Sequence, residues 1–148
     1  MEPRRATPAD IPAIVALTEA AYLPNEAIIG VPSLPRIADY HAVLAEHEVW
    51  LVDGEAALAA ALVLEIEPDD FTIWSIAVSP QAAGRKLGAT LMAFAEGRAR
   101  SLGRPSVHLY THAKLAPRIA WYERQGYAVT HHEDLPDRRL VHMRKTLS

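Results

Sequence analysis

Between residues 49 and 78 the chain carries three apolar runs separated only by Asp53-Gly54 and Pro68-Asp69-Asp70. Turn residues this closely spaced join antiparallel neighbours, which constrains the fold more than any other feature of the sequence. Residues 49–52, 56–66 and 71–78 therefore read as a three-stranded antiparallel meander whose first turn is a tight hairpin. The alanines of the middle run are poor strand formers, but their place in the meander outweighs that preference.

The flanks read as helices and further strands. Thr7-Pro8-Ala9-Asp10 supplies a capping hydroxyl, a proline at the first helical position and an acid in the first turn. A helix over 8–22 follows, with Ile11, Ile14, Val15, Thr18, Ala21 and Tyr22 on one face and a short strand at 4–6 before it. Three prolines and a glycine in 24–35 predict a loop, and Ile37, Tyr40, His41 and Leu44 a second helix. After Pro80 a glycine-bearing loop, 83–88, opens a helix with Leu87, Leu91, Phe94, Ala95 and Leu102 on one side; Gly103 ends it. A strand at 107–111, a helix at 116–125 stopped by Gly126, and strands at 127–132 and 139–145 about Pro136-Asp137 complete the chain. The order β-α-α-β-β-β-α-β-α-β-β predicts a mixed α/β (α+β) domain over 1–148, with a largely antiparallel central sheet of six to seven strands and about four helices.

Composition removes several functions. The 148 residues suffice for one hydrophobic core, and half are apolar with 22% charged. A net charge of −3 gives no positive field to gather nucleic acid or anionic lipid. The absence of cysteine excludes disulfides, thiolate metal sites and a thioester on the protein. The start, Met1-Glu2-Pro3-Arg4-Arg5, lacks the apolar stretch of a signal peptide, and the longest apolar stretch, 56–64, is too short to cross a bilayer. The expectation is a cytoplasmic protein with neither nucleic-acid nor membrane partner.

The chemistry is concentrated where strand 71–78 feeds loop 83–88 and the helix after it. A glycine-bearing loop at a helix start presents free backbone N–H groups and the positive end of the helix dipole, which suits a pyrophosphate; Arg85 and Lys86 add charge. Alone, the same loop also reads, less readily, as a plain strand-to-helix turn. The segment Ile76-Ala77-Val78-Ser79-Pro80-Gln81-Ala82-Ala83-Gly84-Arg85-Lys86-Leu87-Gly88 resembles the coenzyme A loop of the GNAT N-acetyltransferase superfamily, V-x-P followed by Q/R-x-x-G-x-G/A. Ile119-Ala120-Trp121-Tyr122-Glu123-Arg124-Gln125-Gly126-Tyr127 resembles that family's second motif, Y-x-x-x-G-F/Y. One helix and one strand separate the two, as in the family, and the likeness covers nearly the whole chain.

The resemblance implies a GNAT-like fold in which strands 71–78 and 107–111 splay apart around the pantetheine arm of acetyl-coenzyme A (acetyl-CoA). It implies backbone contacts to that arm near Ala77 and Val78, amides of Gly84, Arg85, Lys86, Leu87, Gly88 and Ala89 around the pyrophosphate, and Tyr122 beside the thioester sulfur. Departures are specific. The family's Q/R falls on Ala83 and its first loop glycine on Lys86, where a side chain resists positive φ; Gly88 is kept. The asparagine seven residues before the tyrosine is Leu115, and the alanine four before it is Arg118.

With no cysteine, direct transfer to an amine is the economical route, and Tyr122 is the candidate proton donor, a phenol matched to a thiolate of comparable basicity. It also reads as a residue that merely packs at a helix end. Many family members carry a glutamate on the strand corresponding to 71–78; here Trp74 and Ser75 stand in its middle. His112, Glu65, Glu67 and Glu26 are the alternative bases, with His112 nearest in intrinsic pKa, and each reads more readily as solvated or structural than as a base. His131-His132 point to opposite faces of a strand and no metal-ligand spacing occurs, so no metal is expected. Trp74, Trp121, Trp50 and Tyr22 could fill core or line an acceptor pocket. The activity implied is acetyl transfer from acetyl-CoA to a small-molecule or peptide amine, and homodimers are common among proteins of this type. A catalytically inactive acyl-CoA-binding regulatory module of the same fold is the alternative, and a dinucleotide-binding protein is disfavoured by the lack of G-x-G-x-x-G and of βαβ repeats.

Overall fold

A computed structural model describes residues 2–148; Met1 lies outside the described residues. Strand β1 (Arg4–Arg5) leads through a 3-10 turn (Pro8–Asp10) into α1 (Ile11–Ile29), α2 (Leu34–Ile37) and α3 (Tyr40–Glu46). The meander β2 (Glu48–Asp53), β3 (Leu58–Ile66) and β4 (Phe71–Val78) follows. Then come α4 (Leu87–Ser101), β5 (Ser106–His112), α5 (Ala116–Arg124), β6 (Ala128–Leu135) and β7 (Arg138–Thr146). The seven strands form one sheet in the order β1-β2-β3-β4-β5-β7-β6, and only β4 and β5 are parallel. This is the largely antiparallel mixed fold read from the sequence.

The expectation fails in the first third. The helix predicted to stop near Tyr22 continues through Pro24 to Ile29, so the predicted loop 24–35 shrinks to a short link before α2. Proline removes one helical N–H, yet Tyr22 and Ile29 on either side of it are both buried, and their packing outweighs that loss. Gly30, at φ 78°, ends α1 in the left-handed conformation open to glycine. Leu17, rather than Val15, lies on the buried face; Val15 is exposed. The predicted second helix is two pieces, because Ala38 is extended and Asp39 caps α3 by accepting from the His41 N–H. The first hairpin turn is also wider than two residues: Gly54 N–H donates to Ala57 O at 2.9 Å.

Both faces of the sheet are covered. On one, Leu87, Leu91, Met92 and Ala95 of α4 pack with Tyr122 on Leu62, Leu64, Ile73, Leu109 and Met143. On the other, Ile14, Leu17 and Tyr22 of α1 and Val43 of α3 cover Leu51, Ala61, Val63 and Ala77. Period-two alternation along the strands feeds these two cores. Outermost β6 is exposed throughout and carries His131, His132, Glu133 and Asp134, charges and rings that discourage pairing with another chain. Between α4 and β7, buried Glu96 accepts from the Tyr127 hydroxyl and from Lys145 Nζ, each at 3.0 Å. No helix among the described residues is long and apolar enough to cross a membrane.

Candidate active site

The site begins with an irregularity in β4. Val63 pairs with Ser75 and Leu64 with Ile73, so Trp74 is an extra residue, a bulge. It turns Trp74 and Ser75 to the same side: Trp74 packs on the α1 core, and Ser75 Oγ lies 2.8 Å from the Tyr22 hydroxyl of α1. The parallel pairing of β4 with β5 is confined to Thr72 with His108 and Ile73 with Leu109. Beyond the bulge the strands part.

A cavity of about 70 Å³ occupies this opening and joins the two faces of the sheet. Tyr22, Ser33 and Pro35 line it from the α1–α2 side, Trp74 to Ile76 from β4, Tyr110 to His112 from β5, and Leu115, Arg118 and Tyr122 from α5; Arg138 and Leu140 close it from β7. Arg118 Nη2 donates to Ile76 O at 2.9 Å, and the Tyr22 hydroxyl donates to the same carbonyl at 3.1 Å. The Arg118 guanidinium lies 5.8 Å from the ring centre of Tyr22 and 5.7 Å from that of Tyr122, within cation–π range. Burial pushes the Tyr22 phenol up, against the opposing pull of Arg118, and pushes Tyr110 up to about 12. Both phenols are neutral hydrogen-bonding groups at physiological pH.

The predicted site residues fall into two groups around this opening. Tyr122 is buried, edge-on to Trp121 at 5.2 Å and to Tyr127 at 6.4 Å. Ala77 and Val78 lie on the last turn of β4 beyond the bulge, in register with Ala61 and Ala60 of β3. Gly84, Arg85 and Lys86 are exposed on the loop, Leu87 is buried beneath it, and Gly88 and Ala89 form the first turn of α4. The first helical bond is Thr90 N–H to Lys86 O, so the amides of Leu87, Gly88 and Ala89 precede the hydrogen-bonded ladder. Gly84 has φ 87° and Lys86 φ 58°, the one non-glycine among the described residues with positive φ. Lysine therefore occupies the left-handed conformation that is costly for a residue with a Cβ. A Cβ on Gly88 would lie 3.2 Å from Trp121 Cζ2, so glycine here lets α5 approach α4.

The candidate bases do not converge. Glu26 is held by Arg36 and by the Ser33 N–H at 3.0 Å, and the Arg36 hydrogen bond pulls its carboxyl below the usual range. Glu67 is exposed beside the Pro68–Asp70 turn, at the far end of β4. Glu65 is pushed up by burial and faces His47, outside the cavity. His112 does line the cavity, but its Nδ1 accepts from the Lys114 N–H at 3.1 Å. Burial, then Arg138 and Lys114, depress its pKa, so the ring is neutral with its proton on Nε2, a donor rather than a base. Of the aromatics, Tyr22 and Trp74 line the cavity, whereas Trp50 packs edge-on against Phe94 at 4.8 Å. Arg118, Tyr110 and Arg138 were not singled out for the pocket. Arg118 stood out as a departure from the α5 motif; Arg138 carried no signal. Among the described residues no group of three histidines or acids is arranged to hold a metal.

The chain's likeness to known proteins agrees with this geometry. The acetyltransferase (GNAT) family model matches residues 14–127. Ribosomal-protein-S18-alanine N-acetyltransferase from Escherichia coli superposes with a TM-score of 0.80 at 18% identity, over 99% of this chain and 94% of that one. The PaiA N-acetyltransferase of Thermoplasma acidophilum, in complex with coenzyme A, gives 0.80 at 17% identity, over 99% and 98%. Ribosomal-protein-alanine N-acetyltransferase from Brucella melitensis gives 0.74 at 21%, over 99% and 100%. No curated protein matches the sequence. Identities this low carry the fold alone, and the family rests on the sequence model: the chain belongs to the acetyltransferase (GNAT) family.

Proposed function

We propose that this chain transfers an acetyl group from acetyl-CoA directly to an amine. The observation that carries the reading is the opening between β4 and β5, lined by the buried hydroxyl-bearing ring of Tyr122, with β4 leading in the chain to the glycine-bearing loop 83–88. The thioester arm fits this opening as a substitute strand beside Ala77 and Val78. The amides of Gly84 and of Lys86 to Ala89, at the positive end of α4, suit the pyrophosphate, with the side chains of Arg85 and Lys86 adding charge; the Arg85 N–H itself donates to Ala82 O at 3.3 Å. A neutral amine attacks the thioester carbon, the C–S bond breaks, and Tyr122 protonates the departing thiolate; the proton lost by the amine passes to solvent. A backbone N–H near Val78 stabilises the oxyanion of the tetrahedral intermediate.

Among the described residues no carboxylate lines the cavity, so the amine is deprotonated without a side-chain base in contact with it. Arg118 and Arg138 favour this, because nearby cations disfavour an ammonium and lower its pKa. The second reading, an acyl-CoA-binding regulatory module, is favoured by Arg118 bonding the Ile76 carbonyl. Calorimetric titration with acetyl-CoA, with NADH as control, followed by thiol release with an amine panel, separates the two. Binding with turnover supports the enzyme; binding without turnover supports the module; no binding refutes both.

A further inference from the structure

The polar lining of the cavity is one-sided. Its charged groups are Arg118 and Arg138, its imidazole is that of His112, and no aspartate or glutamate contributes to it. Arg118 makes no ion pair among the described residues; its surroundings are the Ile76 carbonyl and the rings of Tyr22 and Tyr122. A partly buried guanidinium whose protein partners are a carbonyl and two aromatic faces has gained no counter-charge from the protein. Arg138 brings a second guanidinium from β7, this one paired with Asp137. Its side chain is 7% exposed, while the Asp137 that it pairs with is 55% exposed and faces solvent, outside the cavity lining. That pair uses Nε and Nη2 of Arg138, at 3.2 and 2.9 Å. His112, with Nδ1 occupied by the Lys114 amide, presents Nε2–H. The charged and imidazole groups of the cavity thus all donate, beside hydroxyls such as those of Tyr22, Ser75 and Tyr110 that donate or accept, with apolar walls from Ile29, Leu34 and Leu140.

We infer that this cavity binds a carboxylate, carried by the amine that receives the acetyl group, with Arg118 as its main partner and Arg138 and His112 around it. The inference rests on the amine-acetylation reading for the role of that ligand, though not for the presence of the carboxylate site. A planar carboxylate matches the guanidinium fork better than the single Ile76 carbonyl it would displace. The acceptor class is then a small amino acid or a molecule like one, its carboxylate neutralising Arg118 and its side chain on the apolar wall.

The test uses matched product analogues on the intact protein. N-acetyl-leucine and N-acetyl-phenylalanine are compared with their carboxamides by ligand-observed NMR and calorimetry, in wild type, Arg118→Ala and Arg118→Lys. The acids should bind at least tenfold tighter than the amides in wild type, lose that preference in Arg118→Ala, and keep part of it in Arg118→Lys. Equal binding of acid and amide, or a preference that survives Arg118→Ala, overturns the proposal. Turnover with leucine against isoamylamine should show kcat/KM favouring the acid, with the ratio collapsing in Arg118→Ala. If the acids bind but no amine is acetylated, the carboxylate site stands and the transferase reading falls. If isoamylamine is acetylated and leucine is not, the transferase stands and the carboxylate proposal falls. If succinyl-CoA is used in preference to acetyl-CoA and Arg118→Ala reverses this, the carboxylate belongs to the acyl group, and its assignment to the acceptor is overturned.

Discussion

Replacing Lys86 by glycine should make the protein more stable, although it shortens a side chain and weakens the local helix start. Lys86 sits at φ 58°, ψ 27°. The left-handed region costs an L-residue roughly 1–2 kcal/mol through the clash of Cβ with the carbonyl oxygen, which glycine escapes. Against that, glycine loses about 0.5–1 kcal/mol more chain entropy on folding. The net gain is roughly 0.5–1 kcal/mol, which for a domain of this size raises Tm by about 1–4 °C. Urea unfolding with an unchanged m value reads it, and Lys86→Ala supplies the control, since alanine keeps the Cβ and the strain while losing the charge. If Lys86→Ala stabilises as much as Lys86→Gly, or if glycine destabilises, strain at this residue is not the cause. The same variants report on acetyl-CoA: glycine should hold or improve affinity. A two- to fivefold loss shared by both variants, about 0.5–1 kcal/mol, would show that the ammonium contacts a phosphate.

Tyr122→Phe should lower kcat by about 100-fold or more with KM nearly constant; a rate within twofold of wild type refutes the proton-donor role. Gly88→Ala should destabilise by about 1–2 kcal/mol, because the new Cβ meets Trp121 at 3.2 Å, and should alter the near-ultraviolet circular dichroism of that indole. An unchanged spectrum and Tm would mean that the α4–α5 contact is slack. Burial, then the neighbouring His142, depress His108 to about 4 from 6.5. Its folded pKa lies below its unfolded one, so its contribution is present above pH 6.5 and is lost as pH falls towards 4. At ~1.4 kcal/mol per pH unit of displacement, halved for solvent access, the loss is about 1.5 kcal/mol. His108→Gln should flatten the decline of Tm between pH 6.5 and 4.5 by about 3–6 °C, and a decline as steep as wild type would sink the assignment.

The sequence revealed most where neighbours in sequence are neighbours in space. The β2-β3-β4 meander and the strand-loop-helix unit ending in α4 each need only local turn chemistry, and their bounds shift by no more than two residues. The course of α1 past Pro24 was hidden, because a tertiary anchor at Ile29 decides it. The link between α2 and α3 was hidden for a similar reason: nothing in 34–46 marks Ala38 as extended. At the site, Tyr122 and the loop were legible as motifs. The meeting of two guanidiniums and an imidazole was not, since Arg118, His112 and Arg138 come from α5, β5 and β7 and come together only where the sheet opens.

That opening also sets how the molecule breathes. The strands β1 to β4 and the strands β5 to β7 are joined through the sheet by the register of only two residue pairs, with α4 laid across both halves. Amides on the facing edges beyond Ile73 and Leu109 have no strand to protect them, so deuterium should enter there long before it reaches β3 or β7. A ligand in the gap would act as the missing rung, slowing that exchange and raising the melting temperature as its concentration exceeds its Kd.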